Sequence, residues 1–251
     1  MASTSANIAQ VLQFKDKVIH LSQQKGSRLA PLVRKQTVDM HAKACYFDRI
    51  GTIEMDEITS LYSPTQYGNI DHTRRKVDMR NFAKNLLVDD INKLRSLADM
   101  ENHYLQAMVN ANGRQMDILI IEALTGNAVS VDANLGDSTV ALPSSQIVDE
   151  DFGAANSNLT IEKLREAKRI LLKNEVDVTA EMPYMLINSS AHDSLLAESE
   201  IQSTDTNVRP ALVDGMIHRY MGFNFIHTEL INGELSSEAN PFECVAFVPS
   251  A

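Results

Sequence analysis

Apolar residues recur at helical spacing through one segment that is far longer than any other patterned stretch of the chain. Between Asp89 and Thr125 there is no proline and a single glycine, Gly113, while Ile91, Leu94, Ala98, Leu105, Met108, Leu119 and Ala123 return to one helix face. These 37 positions predict a helix about 55 Å long at about 1.5 Å per residue. A compact globule of 251 residues has a radius of gyration of roughly 18 Å and a diameter of roughly 46 Å. The rod outruns the body it belongs to, so a flat subunit that leans on neighbours is expected.

Shorter patterns flank it. Thr4 to Gln24 carries Ile8, Val11, Leu12, Val18, Ile19 and Leu21 at approximately helical intervals and reads as an amphipathic arm. Lys25, Gly26 and Ser27 break that pattern, and residues 28–43 mix basic and apolar side chains without a period, as an extended strap would. From Ala44 to Asp78 the chain is rich in Ile, Thr, Tyr and Val, with turn signals at Gly51, Ser63-Pro64 and Gly68-Asn69, which predicts two long antiparallel strands. The tip, from Tyr62 to Tyr67, has little with which to pack on its own domain. A lone two-stranded ribbon is marginal in water, so this one needs another surface to lie on.

After the long helix, Gly126 stands where a glycine cap is expected, and residues 127–157 read as a polar, irregular connection containing the acidic triplet Asp149-Glu150-Asp151. A second helix opens with Thr160 as N-cap, although Lys163 occupies the position where a capping box wants Glu. Its apolar stripe is Ile161, Leu164, Ala167, Leu171 and Leu172. Tyr184 to Ile187 has the continuous apolar character of a buried strand, and a further helix spans Ala191 to Ala197. Residues 211–228 break into strand-like pieces at Gly215 and Gly222, with Phe223, Phe225 and His227 on one face. Glu243 to Val248 is the last strand candidate.

Composition narrows the function. Lys plus Arg number 23 against 33 Asp plus Glu, a net charge of -10, which disfavours a surface that binds nucleic acid broadly. No apolar run reaches the roughly 20 residues that span a bilayer, and the first ten residues lack the basic start and apolar core of a signal peptide. Cys45 and Cys244 are expected to be small buried apolar side chains.

The seven histidines do not fall at metal-ligand spacing, and there is no His-Glu-x-x-His, paired CxxC, Gly-x-Ser-x-Gly elbow or Gly-rich phosphate loop. Neither a catalytic residue nor a cofactor or metal site is expected. The densest basic cluster is Arg74-Arg75-Lys76. One reading is a solvated face. The other is a salt-sensitive contact with an acidic patch on another copy, for which Glu54, Asp56 and Glu57 on the outgoing strand are candidates, alongside Tyr62 and Tyr67 at the tip.

Phe47-Asp48-Arg49-Ile50-Gly51 entering the hairpin, Arg114-Gln115-Met116-Asp117 with Ile121 to Leu124 in the long helix, and Leu212-Val213-Asp214-Gly215-Met216-Ile217 leading to Met221-Gly222-Phe223 stand in a telling order. In that order the chain resembles the major capsid protein of tailed bacteriophages, whose α+β Johnson fold is shared with encapsulins and the herpesvirus floor domain. The specificity lies in the order and spacing of the parts. The resemblance implies an N-terminal arm at 1–44, an extended hairpin loop at 45–80, a spine helix and peripheral domain at 81–154, an axial domain at 155–232, and a C-terminal strand at 233–251 that returns to the peripheral domain.

It further implies a shell subunit that binds copies of itself into hexamers and pentamers around double-stranded DNA, with only weak contact to that DNA. Assembly in the host cytoplasm with a separate scaffolding protein and a portal protein follows from it, and a decoration protein is a further candidate partner. Some relatives lock the shell with an isopeptide bond from a hairpin lysine; none lies between Ala44 and Arg75 here, so no such cross-link is expected. An encapsulin-like nanocompartment that loads an enzyme uses the same fold and is the alternative. A hydrolase using Asp71, His72, His192 and Asp193 is the reading from another class.

Overall fold

The computed structural model describes residues 23–36, 43–57, 67–86, 100–131, 136–153, 157–198, 201, 215–232 and 244–249. They belong to two compact units, the first drawn from Met1–Ser27 and Phe82–Gln115, the second from Arg28–Asn81 and Met116–Ala251. The predicted arm up to residue 22, the helical pattern before Met100 and the hairpin tip at 58–66 lie outside the described residues.

In the first unit, the helix α1 (Met100–Thr125) contributes its residues up to 115. Gly26, at φ 70°, passes so close to the helix that a Cβ on Gly113 would lie 2.4 Å from the Gly26 carbonyl carbon. Only glycine at 113 admits this approach. Arg114 also donates to the Gln23 side chain at 2.8 Å.

The second unit holds two four-stranded sheets. One has the order β1 (Ala44–Ile50), β2 (His72–Asp78), β3 (Ala128–Val131), β4 (Asp137–Val140), antiparallel throughout. The hairpin is therefore present, with Ala44 opposite Asp78 and Ile50 opposite His72. The connection predicted to be irregular at 127–157 instead supplies β3 and β4. The alternation Ala128-Val129-Ser130-Val131 is short, but β2 offers it an unpaired edge at Arg74 to Lys76, and the ladder forms there.

The other sheet has the order β6 (Arg219–Tyr220), β7 (Phe223–His227), β5 (Tyr184–Ile187), β8 (Cys244–Phe247). β5 runs parallel to β7 and antiparallel to β8. The last strand was expected with the 81–154 segment; its backbone bonds run instead to β5, inside the 155–232 segment. Besides the end of α1, the described residues of the unit include two α-helices, α2 (Ile161–Lys173) and α3 (Ser189–Ala197). Thr160 caps α2 as predicted, accepting the Lys163 N–H at 3.4 Å. Lys163 does not complete a capping box: its ammonium turns back to the carbonyls of Ser157 and Asn158, just before the helix. Asn188 caps α3, which begins two residues before the predicted start, by accepting from the Ala191 N–H at 2.7 Å.

β5 explains where the core sits. Met185 and Ile187 pack with Ile161 and Leu164 of α2, Ala191 and Leu195 of α3, and Phe223. Leu186 points to the opposite face and packs with Leu29, Ile121, Ile231 and Phe247. A short strand buried on both faces is what its unbroken apolar run demands. Between β6 and β7, Met221 (φ 51°) and Gly222 (φ 86°) make a two-residue turn with both residues in the left-handed region, the geometry that matches strand twist.

The period predicted for α1 holds, but its phase does not. Leu105 is 61% exposed and Ala123 is exposed, whereas Asn110, Gly113, Asp117, Ile118 and Ile121 are buried. The supposed strap at 28–43 is a turn from Arg28 to Val33, closed by Leu32 N–H to the Leu29 carbonyl at 2.9 Å. Asp117, 1% exposed, causes it: its carboxylate accepts from the backbone N–H of both Arg28 (3.0 Å) and Leu29 (3.1 Å) while Leu29 enters the core. Charge-assisted bonds to two successive amides bend the chain there.

Candidate functional site

The hairpin carries the residues singled out in the sequence. Pairing puts Asp48, Arg74 and Val131 in one row across the sheet and Tyr46, Lys76 and Val129 in the next row on the same face. Arg74 binds Asp48 with two bonds, at 2.6 and 3.3 Å, and lies 6.0 Å from the Tyr46 ring centroid. The guanidinium holds the Asp48 carboxyl below the usual carboxylate range, and Asp48 in turn raises Arg74. Lys76 donates to Asp137 at 2.6 Å, with Asp78 at 3.8 Å, and the Asp137 contact raises its pKa. Two of the three clustered cations are thus committed within the chain.

Arg75 differs. Alternation turns it to the other face, with Phe47 and Ser130 as cross-strand neighbours, and its Nη1 is buried without an acceptor among the described residues. Glu54, Asp56, Glu57 and Tyr67 are all exposed, Tyr67 fully. Tyr62 lies outside the described residues. Large apolar side chains accompany them: Ile50 is 69% exposed, Ile53 59%, Met55 95% and Val77 54%. The hairpin leaves uncovered what a core would bury.

Sequence reading missed Asp48, Asp137 and Asp117. Opposite charges on facing strands signal the first pair, but the register was needed to read it. Asp117 was named only within a motif, and nothing in its spacing marks it as an anchor.

The residues of the hydrolase reading are not assembled into one site. Asp71 directly precedes β2 and His72 opens it, whereas His192 and Asp193 belong to α3. His192 Nε2 accepts the N–H of Ile217 at 3.2 Å and meets the His227 ring edge-on at 6.3 Å. Burial, then His227, lowers its pKa from 6.5. Cys45 and Cys244 are thiols, half-buried rather than buried. Among the described residues no group of three His, Cys, Asp or Glu side chains is placed to hold a metal ion, and no helix is long and apolar enough to cross a membrane.

Comparison with solved structures places this fold among phage shells. A chain of Mycobacterium phage Che8 matches with a TM-score of 0.66 and 18% identity over 97% of this chain and 81% of that one. The asymmetric unit of the bacteriophage PhiM1 mature capsid matches with 0.66 and 10% over 99% and 80%. The capsid structure of the cyanophage P-SCSP1u matches with 0.60 and 14% over 91% and 71%. At these identities the likeness is one of fold. No curated protein sequence matches. The model of the phage capsid protein family matches residues 6–251, so nearly the whole length carries the family pattern. With an α+β capsid fold beneath it, this chain belongs to the phage capsid protein family, as a bacteriophage major capsid protein: a structural, non-enzymatic subunit of the virion shell that is built from multiple copies of itself.

Proposed function

We propose that copies of this chain form hexamers and pentamers that close an icosahedral shell around double-stranded DNA, with the 45–80 hairpin lying across an adjacent copy as an extended loop. The exposed apolar residues of the hairpin carry this reading. Ile50, Ile53, Met55 and Val77 are more than half exposed, and burying each contributes about 1.5–3 kcal/mol. A neighbouring copy of the same subunit is the surface that recovers this energy.

In this reading 1–44 is the arm, 81–154 the spine helix with the peripheral domain, and 155–232 the axial domain, whose sheet also takes the last strand. Arg75 donates to a carboxylate of Glu54, Asp56 or Glu57 of the adjacent copy, since its Nη1 lacks an acceptor among the described residues and the partners of Arg74 and Lys76 are already in place. Tyr62 and Tyr67 extend that contact at the tip. The net charge of -10 repels packaged DNA weakly and leaves it free to move. A separate scaffolding protein and a portal act with the subunit in the host cytoplasm, and a decoration protein is a further candidate partner of the finished shell.

Electron microscopy of particles made with and without the neighbouring gene products tests the whole reading. Closed shells are expected only with the scaffold; a monomer under every condition sinks it. Arg75→Ala is expected to lower shell yield about tenfold and flatten the dependence on salt, as loss of an interfacial charge pair does. Denaturing gels of the shells should show monomers, because no lysine lies between Ala44 and Arg75 to form an isopeptide bond and Lys76 is held by Asp137.

A further inference from the structure

The surface of α2 has a polarity of its own. Toward its C-terminus, Arg165, Lys168, Arg169, Leu172, Lys173 and the turn residue Met221 line a shallow open depression. Leu172 is half exposed. Two of the cations are held in place: Lys168 donates to the Met221 carbonyl at 3.0 Å, and Arg169 binds Glu166 one turn earlier. The depression is therefore a fixed cationic surface with an apolar floor, in a chain whose net charge is -10.

At the other end of the helix lies its chemical complement. Asp149, Glu150, Asp151 and Phe152 form an exposed turn, closed by Phe152 N–H to the Asp149 carbonyl at 3.1 Å. Gly153 follows, against the side chain of Glu162 in the first turn of α2. Phe152 is 39% exposed, next to three consecutive acids. From Glu162 to Lys173 the helix rises about 16 Å, so the acidic turn beside Glu162 does not cover Lys173 of its own copy, although Arg165 lies within one turn of Glu162.

We propose that the Asp149–Phe152 turn of one copy docks on the α2 depression of the next, its carboxylates on Arg165 and Lys173 and Phe152 on Leu172 and Met221. Two different patches meeting head to tail make a heterologous contact, which repeats until the rotation closes a ring. That is the contact a capsomer needs. The inference rests on the shell reading above and adds to it which surfaces join neighbours around the ring.

Charge exchange tests it in particles made with the full set of shell components. Reversing the depression (Arg165→Glu with Lys173→Glu) or the turn (Asp149→Lys with Glu150→Lys) is expected to lower shell yield about tenfold or more, and combining all four in one chain to restore most of it. Should the fourfold variant recover nothing while melting like the unmodified subunit, the pairing is wrong. If reversing the depression leaves shell yield intact and lowers only packaged DNA, the surface serves nucleic acid and the proposal is overturned. Unmodified chain that forms no shells overturns the capsid reading first, and this contact with it.

A second measurement needs no variant. Carbodiimide treatment of shells mixed from isotopically light and heavy subunits condenses carboxylates with lysine amines, losing water. Light-to-heavy peptides joining Asp149 or Glu150 to Lys168 or Lys173 are expected. Their absence, with other cross-links present, rules out the contact.

Discussion

In the sheet built around β5, three of the four residues of the central strand are buried, and both its faces are covered by residues of the same chain. In the sheet of the hairpin, Val131 alone among the residues of the four strands is buried, and β4 is exposed at every position. The two sheets lie within one unit and have equal strand number, yet one is self-sufficient and the other is not. Side chains that hold the subunit together are thus separated from those available to hold subunits to each other.

The sharpest way to break this separation is to exchange the expected effects. Leu186→Ala, which removes a fully buried side chain between Leu29, Ile121 and Phe247, should cost about 2–5 kcal/mol in denaturant unfolding of the subunit. Ile53→Ser with Met55→Ser should leave that unfolding within about 0.5 kcal/mol, because exposed positions carry little of the fold, while shell yield falls severely. Equal damage to unfolding from both changes would show that the hairpin supports its own subunit.

Asp117 sharpens the comparison with a smaller effect. Asp117→Ala removes the acceptor of two amides, one buried and one partly so, and should destabilise the subunit by roughly 3 kcal/mol. The matching ion pair of the hairpin, Asp48 with Arg74, is solvent-exposed on both sides, so Asp48→Asn should leave subunit unfolding nearly unchanged. Hydrogen exchange at Arg28 and Leu29 reports the first directly: faster exchange in D117A is expected, and unchanged protection would mean the turn stands without its anchor.

This contrast also explains what could be read from the sequence. The β5 run, the Thr160 cap, the pairing of Ala44–Ile50 with His72–Asp78 and, from Met100 on, the helix period are local patterns, and the described residues carry each of them. Phase and register are not local. The buried face of α1 runs through Asn110, Gly113 and Asp117 instead of the leucines, because what covers it arrives from residues 23–29, nearly ninety positions away in sequence. β3 was missed because four residues become a strand only when β2 presents a free edge. The hairpin ion pairs needed the register of β1 on β2, and a turn signal at Ser63-Pro64 does not supply it. Among the contact candidates that the structure describes, Glu54, Asp56, Glu57, Tyr67 and Arg74 are exposed, while the lack of an acceptor for Arg75 Nη1 was visible only after Asp48 and Asp137 had taken its neighbours.

Acid gives the gentlest test, and it acts on the self-sufficient sheet. His192 must be neutral to accept the Ile217 N–H, since protonated Nε2 would face a donor with a donor. Burial and His227 lower its pKa below 6.5, with His218 acting the same way and Asp193 opposing them. The unfolded chain therefore binds this proton more readily than the folded one. The stabilisation is complete above the unfolded value of 6.5 and is lost as the pH falls through that value toward the folded one. The melting temperature of the subunit should drop modestly between about pH 7.5 and about pH 5.5, where histidine titrates. His192→Gln keeps an acceptor for Ile217 without a titrating ring, so it should shrink that drop while leaving the neutral-pH melting temperature nearly in place. A drop of the same size in H192Q would move the acid sensitivity elsewhere. Because His72, the histidine of the hairpin strands, is exposed, hydrogen exchange along β1 and β2 should change less over this range than exchange along β5 and β7.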